Sequence, residues 1–256
     1  MFLDKTIAVV MPAHNEARLI VRAVEQVPDF VDHLIVVDDA STDETADVLR
    51  TQVSRRGLVF LRHETNQGVG AAIVSGYRKV LELGADVAAV MAGDAQMDPA
   101  DLPMLLVPVV KGVSDYAKGD RLSWPGVARE MPLFRFIGNH VLSQLTRLTS
   151  GYANVRDSQC GYTVATADVL KRIDLGELYE RYGFPNDMLA KLHAVGARLS
   201  NIAVRPVYRG EVSGISLVTA LFRVPFVMLR SLFWRLRRER LRARQLDIPT
   251  LNSADG

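Results

Sequence analysis

A single cysteine, Cys160, among 256 residues excludes an internal disulfide and fits a reducing compartment. The chain has no uninterrupted apolar run near the roughly 20 residues that a membrane-crossing helix needs. Its opening, "MFLDKTIAVVMPAHNE", lacks a basic segment, a long apolar segment and a small-residue cleavage site, so no signal peptide is expected. No G-x-x-x-x-G-K-[ST] loop is present. "GVGAAI" (68–73) begins like G-x-G-x-x-G but ends in Ile73 and follows the third expected strand rather than the first, so both common nucleotide-binding signatures fail. His33, His63, His140 and His193 have no metal-ligand spacing. No internal repeat or low-complexity tract interrupts the chain.

What is present is an ordinary globular composition, 48% hydrophobic and 23% charged, long enough for a sizeable core. The net charge of +2 is unevenly spread. Residues 223–244 hold eight arginines and one glutamate, so the rest of the chain is mildly acidic. A basic tail on an acidic body points to an anionic partner, either membrane or nucleic acid.

Short β-rich runs alternate with helical segments through the first hundred residues. "TIAVVMP" (6–12), "HLIVVDD" (33–39), "GLVFLRH" (57–63) and "DVAAVMAG" (86–93) read as strands, the first being a continuous apolar run of the kind covered on both faces. "NEARLIVRAVEQV" (15–27) and "GVGAAIVSGYRKVLELG" (68–84) have helical spacing, and "STDETADVLRTQV" (41–53) opens with a capping pattern from Ser41 to Glu44. This alternation predicts βαβ units and an α/β fold with a mostly parallel sheet flanked by helices. Further on, "DSQCGYTVAT" reads as a loop entering a strand and "FPNDMLAKLHAVGARLSNIAV" as a helix followed by a strand. The expected organisation is one α/β domain over 1–212, a basic amphipathic helix over 213–245 and a tail over 246–256.

In an open parallel sheet, ligands bind beyond the carboxyl ends of the strands. Here those ends carry His14, Asn15 and Glu16, then Asp38 and Asp39, then Asn66 and Gln67, then Asp94 and Gln96. Each alone fits a turn or a helix cap; four in succession describe a polar cleft along one sheet edge.

Five ordered stretches, "VVMPAHNE", "VVDDASTDET", "NQGVGAAIVSGY", "AGDAQMDPADLP" and "DSQCGY", resemble family 2 glycosyltransferases of the GT-A (Rossmann-like) fold, and more narrowly the polyprenyl-phosphate (dolichyl-phosphate) hexose synthases. The resemblance covers residues 5 to about 215. It implies an inverting transfer of a hexose from a UDP- or GDP-sugar donor to a polyprenyl phosphate. It also implies that Pro12, Ala13, Asn15 and Glu16 form the first nucleotide-binding turn, that Asp39 faces the base or ribose, and that Asn66, Gly68 and Gly70 form a loop against the nucleotide. The family commonly reads D-x-D-x-Q at the fourth stretch, where the second acid and the glutamine hold a divalent cation. Asp94 and Gln96 match, while Ala92 replaces the first acid. Asp94, Gln96 and diphosphate oxygens make a hard-oxygen donor set for Mg²⁺ or Mn²⁺. The alternative is a turn in which Asp98-Pro99 starts a helix.

A lipid phosphate is already an oxyanion and needs cationic positioning more than a general base. Lys118, Arg121, Arg129 and Arg135 lie where the family places such cations, with Arg121 favoured; surface arginines are the alternative for Arg129 and Arg135. Asp157 and Gln159 are expected to face the sugar or acceptor, and Cys160 to be a packing residue. Asp187 is expected to orient the acceptor or a sugar hydroxyl, to act as base toward a glycan or small-molecule acceptor, or to cap the following helix. In the tail, Arg223, Arg230, Arg237 and Arg244 recur every seventh residue, and Phe222, Phe226, Phe233 and Trp234 are expected to insert into an anionic bilayer. A helix packed on the protein is the alternative, and nucleic acid is disfavoured because no binding motif accompanies the charge. The enzyme is thus expected in the cytoplasm, peripheral on the inner membrane face. A non-catalytic nucleotide-sugar-binding protein is the remaining alternative, and Ala92 is the feature that favours it.

Overall fold

The computed structural model describes residues 1–51, 57–207 and 224–246. In chain order the elements are β1 (Ile7–Ala13), α1 (Ile20–Glu25), β2 (His33–Asp38), α2 (Thr45–Thr51), β3 (Leu58–Arg62), α3 (Val69–Glu82), β4 (Val87–Val90), α4 (Leu102–Val110), β5 (Tyr116–Asp120), α5 (Val127–Glu130), α6 (Leu133–Ser150), β6 (Thr163–Thr166), α7 (Ala167–Arg172), α8 (Phe184–Ala194), β7 (Leu199–Ala203) and α9 (Val224–Leu246). The strands form one sheet in the order β3-β2-β1-β4-β6-β5-β7. Its β1–β4 half is parallel, as the alternation predicts, and β5 pairs parallel with β7. β6 runs antiparallel between β4 and β5.

Every residue of β1 is buried because the sheet is covered on both faces. Ile7, Val9 and Met11 point into a core completed by α1, α2 and α4, whereas Ala8 and Val10 point into a second core completed by α3, α7 and α8. That is the period-2 consequence of a continuous apolar run. α3 lies unusually close to β1: a Cβ added at Gly76 would sit 2.2 Å from Val10 Cγ1.

The first helix is shorter than its apolar periodicity predicts. Asn15 is left-handed (φ 58°), and the amides of Asn15, Glu16 and Ala17 donate to Ser41 Oγ, Thr45 Oγ1 and the Asp43 carboxylate. The residues after β1 are thus laced to the β2–α2 loop. The expected Ser41–Glu44 capping box does not start the helix: α2 begins at Thr45, the Ser41 hydroxyl accepts from Asn15, and the Ser41 amide donates to Asp38 Oδ1.

α9 packs on α6 and α8. Val224, Val227, Met228 and Ser231 are buried there. Trp234, expected in lipid, instead donates its indole N–H to Glu177 (3.1 Å), and the Lys191 ammonium lies 3.4 Å from its ring centroid. Phe222, Arg223 and the expected boundary after residue 212 lie outside the described residues.

Candidate active site

The carboxyl ends of β1, β2, β3 and β4 converge on a cavity of about 470 Å³. Its lining includes Pro12, Ala13, Glu16, Asp39, Asn66, Gly68 and Asp94, seven of the residues singled out from the sequence. Three non-glycine residues in these loops are left-handed: Asn15 (φ 58°), Ala40 (φ 55°) and Ala95 (φ 54°). Such conformers cost roughly 1–2 kcal/mol each and concentrate where loops are shaped for ligands.

Asp39 anchors the floor of the cavity. Its carboxylate accepts from the amides of Gln67 (2.9 Å) and Gly68 (2.7 Å) and pairs with His63 Nδ1 at 2.7 Å. A carboxylate only accepts, so Nδ1 carries the proton; the other ring nitrogen of His63 meets Ser75 Oγ at 2.9 Å. Burial alone would raise the Asp39 pKa, but the two amides and His63 outweigh it and hold the carboxyl below the usual range. His14 is held likewise, with Nδ1 on the Asp39 carbonyl (2.8 Å), which leaves Nε2 to accept from the Asn66 amide at 3.2 Å.

Over the far side of the cavity lies the segment 179–182. Arg181 donates to the Asn66 carbonyl (3.1 Å) and side chain (3.4 Å), and Arg181 and Tyr182 both line the space. This segment explains two glycines. A Cβ at Gly68 would lie 2.6 Å from the Glu180 carbonyl oxygen, and one at Gly70 would lie 2.4 Å from that of Tyr179. Gly70 does not line the cavity; it permits close approach of two backbones. Asn15 is likewise absent from the lining, its side-chain oxygen accepting from the Thr42 amide (2.8 Å).

A second cavity of about 200 Å³ adjoins the first, lined among others by Gln96, Arg121, Gln159, Cys160 and Arg205. Asp94 lines both. The Gln96 amide donates to Asp94 Oδ1 (3.0 Å), fixing the turn that brings the two side chains together. Asp94 and Gln96 supply oxygen donors suited to a hard cation, and the methyl of Ala92 lines the first cavity where the resemblance implies a further acid. Among the described residues no group of three or more His, Cys, Asp or Glu side chains forms a metal cluster. The donor set therefore fits a cation shared with a diphosphate, not one caged by protein alone.

Arg121 is held from behind. Asp157 is fully buried and accepts from Arg121 Nε (2.7 Å), Nη2 (3.1 Å) and backbone N (3.2 Å), and also from the amides of Gln159 and Cys160 (3.1 Å each). Burial opposes ionisation, yet the Arg121 guanidinium and the Lys118 ammonium outweigh it, so the Asp157 carboxyl titrates below its usual range. Asp157 is a positioning residue for Arg121, not the ligand-facing group expected. Lys118 is buried in β5 and donates to the Cys160 carbonyl, and burial lowers its pKa.

Three further expectations are corrected. Asp187 is buried away from both cavities: it accepts from the Tyr179 amide (3.0 Å) and the Ser231 hydroxyl (2.7 Å), tying α8 to the 179–182 segment and to α9. Arg129 and Arg135 line neither cavity; Arg129 is exposed on α5, and Arg135 lies over the Phe134 ring. Arg181, Tyr182 and Arg205, by contrast, reach the cavities without having been singled out.

Residues 8–174 match glycosyl transferase family 2. A UDP-N-acetylglucosamine–dolichyl-phosphate N-acetylglucosaminyltransferase from Methanococcus voltae is 29% identical over 80% of this chain and 87% of its own length. An undecaprenyl-phosphate mannosyltransferase from Micrococcus luteus is 31% identical over 78% of this chain and 83% of its own. Among solved structures, glucosyl-3-phosphoglycerate synthase from Mycobacterium tuberculosis, in complex with Mn²⁺, UDP and its glucosylated product, superposes with a TM-score of 0.69 at 20% identity, covering 90% of this chain and 81% of that one. This likeness identifies the GT-A fold.

Proposed function

The chain belongs to glycosyltransferase family 2, and on that premise we propose that it moves a hexose from a nucleotide sugar to a polyprenyl phosphate at a membrane surface, with inversion at the anomeric carbon. The observation that carries this reading is Asp94, the one candidate site residue that lines both cavities. A transferase needs two substrates to meet at one point, and the junction of a larger and a smaller cavity supplies it.

In this reading the larger cavity takes the donor. The Asp39 carboxylate faces base or ribose donors, and Arg181 at the mouth offers its guanidinium to the diphosphate. Asp94 and Gln96 would hold a Mg²⁺ or Mn²⁺ ion, whose chemistry is to neutralise charge on the departing diphosphate. The smaller cavity takes the acceptor phosphate. Arg121, aimed by the buried Asp157, holds one phosphate oxygen while another attacks. The attacking oxygen is already anionic, so no proton has to be removed, which agrees with the burial of Asp187. The lipid-phosphate transferases among the relatives support this acceptor.

The size of the second cavity favours one other reading. About 200 Å³ with Arg121 and Arg205 on its wall would also suit a small phosphorylated acid such as the acceptor of the superposed synthase. Incubation with labelled UDP- and GDP-sugars, offering polyprenyl phosphate or 3-phosphoglycerate, separates the two. Organic-extractable product supports the lipid acceptor; label only in a water-soluble phosphorylated product replaces it with the small one.

A further inference from the structure

α6 is only half used by the fold. Its second half buries Ser143, Thr146, Thr149 and Ser150 against α8 and α9, whereas no residue from Leu133 to Leu142 is buried. Along this free half, Leu133 (73% exposed), Phe134 (72%), Ile137 (54%) and Val141 (54%) follow one another at helical spacing as a single apolar stripe. A contiguous stripe of this kind marks a surface that is covered when the protein works.

Charge and position both identify the cover. α6 carries Arg135 and Arg147 and no acid, Arg129 is exposed just before it, and the sequence of the adjoining α9 has seven arginines to one glutamate. On α9, Phe226 (65%) and Phe233 (67%) are exposed as well. An apolar stripe flanked by guanidinium groups matches acyl chains beneath anionic headgroups. Two copies meeting through this face would set arginines against arginines. The stripe also begins beside the acceptor cavity, because Glu130, three residues before Leu133, contacts Arg205 at 3.9 Å and Arg205 lines that cavity.

We propose that the exposed N-terminal half of α6 is the membrane-docking face of the enzyme, seating the second cavity at headgroup depth on an anionic bilayer. The inference rests on the lipid-phosphate reading above and moves the main contact from the basic tail to α6.

The test is flotation of the full chain with phosphatidylcholine vesicles, with and without about one-third phosphatidylglycerol, for wild type and the double variant Phe134→Ser/Ile137→Ser. The wild type should float with the anionic vesicles only. The variant should lose about tenfold or more in bound fraction, since each side chain withdraws a full apolar contact. Its melting temperature and its transfer to detergent-dispersed polyprenyl phosphate should stay unchanged. Should the double variant fail to fold, Val141→Ser, one turn further along, should still weaken flotation by about threefold. Equal flotation of folded variant and wild type, no flotation of the wild type, or a dimer that the substitutions abolish each overturns the proposal. A wild type that floats through this face yet glycosylates no lipid phosphate in detergent would leave the face standing and remove the acceptor reading.

Discussion

Replacing Asp157 with asparagine removes the charge that aims Arg121. The carboxylate is fully buried and receives three N–H groups from Arg121 and two from the turn at Gln159 and Cys160. Asparagine keeps one acceptor oxygen but turns an NH₂ toward the guanidinium, leaving part of a charge-assisted pair broken inside the protein. Breaking such a pair costs about 3–5 kcal/mol, a large part of the roughly 5–15 kcal/mol stability of a typical domain. With a urea dependence of roughly 3 kcal/mol/M, the unfolding midpoint should fall by about 1 M or more. The sign with pH follows from the lowered Asp157 pKa. The stability it contributes is present above the ordinary carboxylate range and is lost only as pH falls through the lowered value. The wild-type advantage should therefore be flat from about pH 8 to pH 5 and shrink only below about pH 4. Turnover should drop by about a hundredfold even where the variant is folded, because Arg121 is no longer fixed. A midpoint within about 0.2 M of wild type, with turnover intact, would refute the idea that Asp157 acts through Arg121.

Three other outcomes are expected. Arg181→Ala should weaken donor binding about ten- to a hundredfold in a titration, the loss of one charge-assisted bond, while stability moves by less than about 0.5 kcal/mol because Arg181 is exposed. Ala92→Asp should raise affinity for Mn²⁺ in the absence of nucleotide by about tenfold or more, since a second carboxylate joins the donor set; unchanged affinity would show that position 92 does not face the cation. Cys160 is 3% exposed, and burial pushes its thiol pKa up, so a thiol reagent should label it only after unfolding.

The parallel half of the sheet was legible because each strand is a local, continuous apolar run ended by polar residues. Its carboxyl-edge cleft followed from the same pattern, and Asp39, Asn66 and Asp94 do meet there. What depends on distant pairing was not legible. Arg181 reaches the larger cavity through a contact with Asn66, 115 residues away in sequence, and nothing in "YERYGF" announces it. Asp187 read as a cap, a base or an acceptor-orienting group, and the hydroxyl that donates to its carboxylate, that of Ser231, comes from the distant α9. Trp234 read as a lipid-inserting aromatic of the basic tail, but the Lys191 and Glu177 partners that hold it come from other elements. The α6 stripe was present in the sequence as a mixture of arginines and large apolar residues. Only the packing of its second half distinguishes the face that folding consumes from the face that it leaves outside.

The central claim is that donor and acceptor meet at Asp94. Calorimetric titration of UDP-glucose, UDP-N-acetylglucosamine and GDP-mannose into wild type and Asp94→Asn, with Mn²⁺ and with EDTA, tests it most directly. One donor should bind the wild type only when metal is present, and Asp94→Asn should lose at least about tenfold of that affinity in metal and nothing in EDTA. Equal donor binding by both proteins in Mn²⁺ would contradict the account.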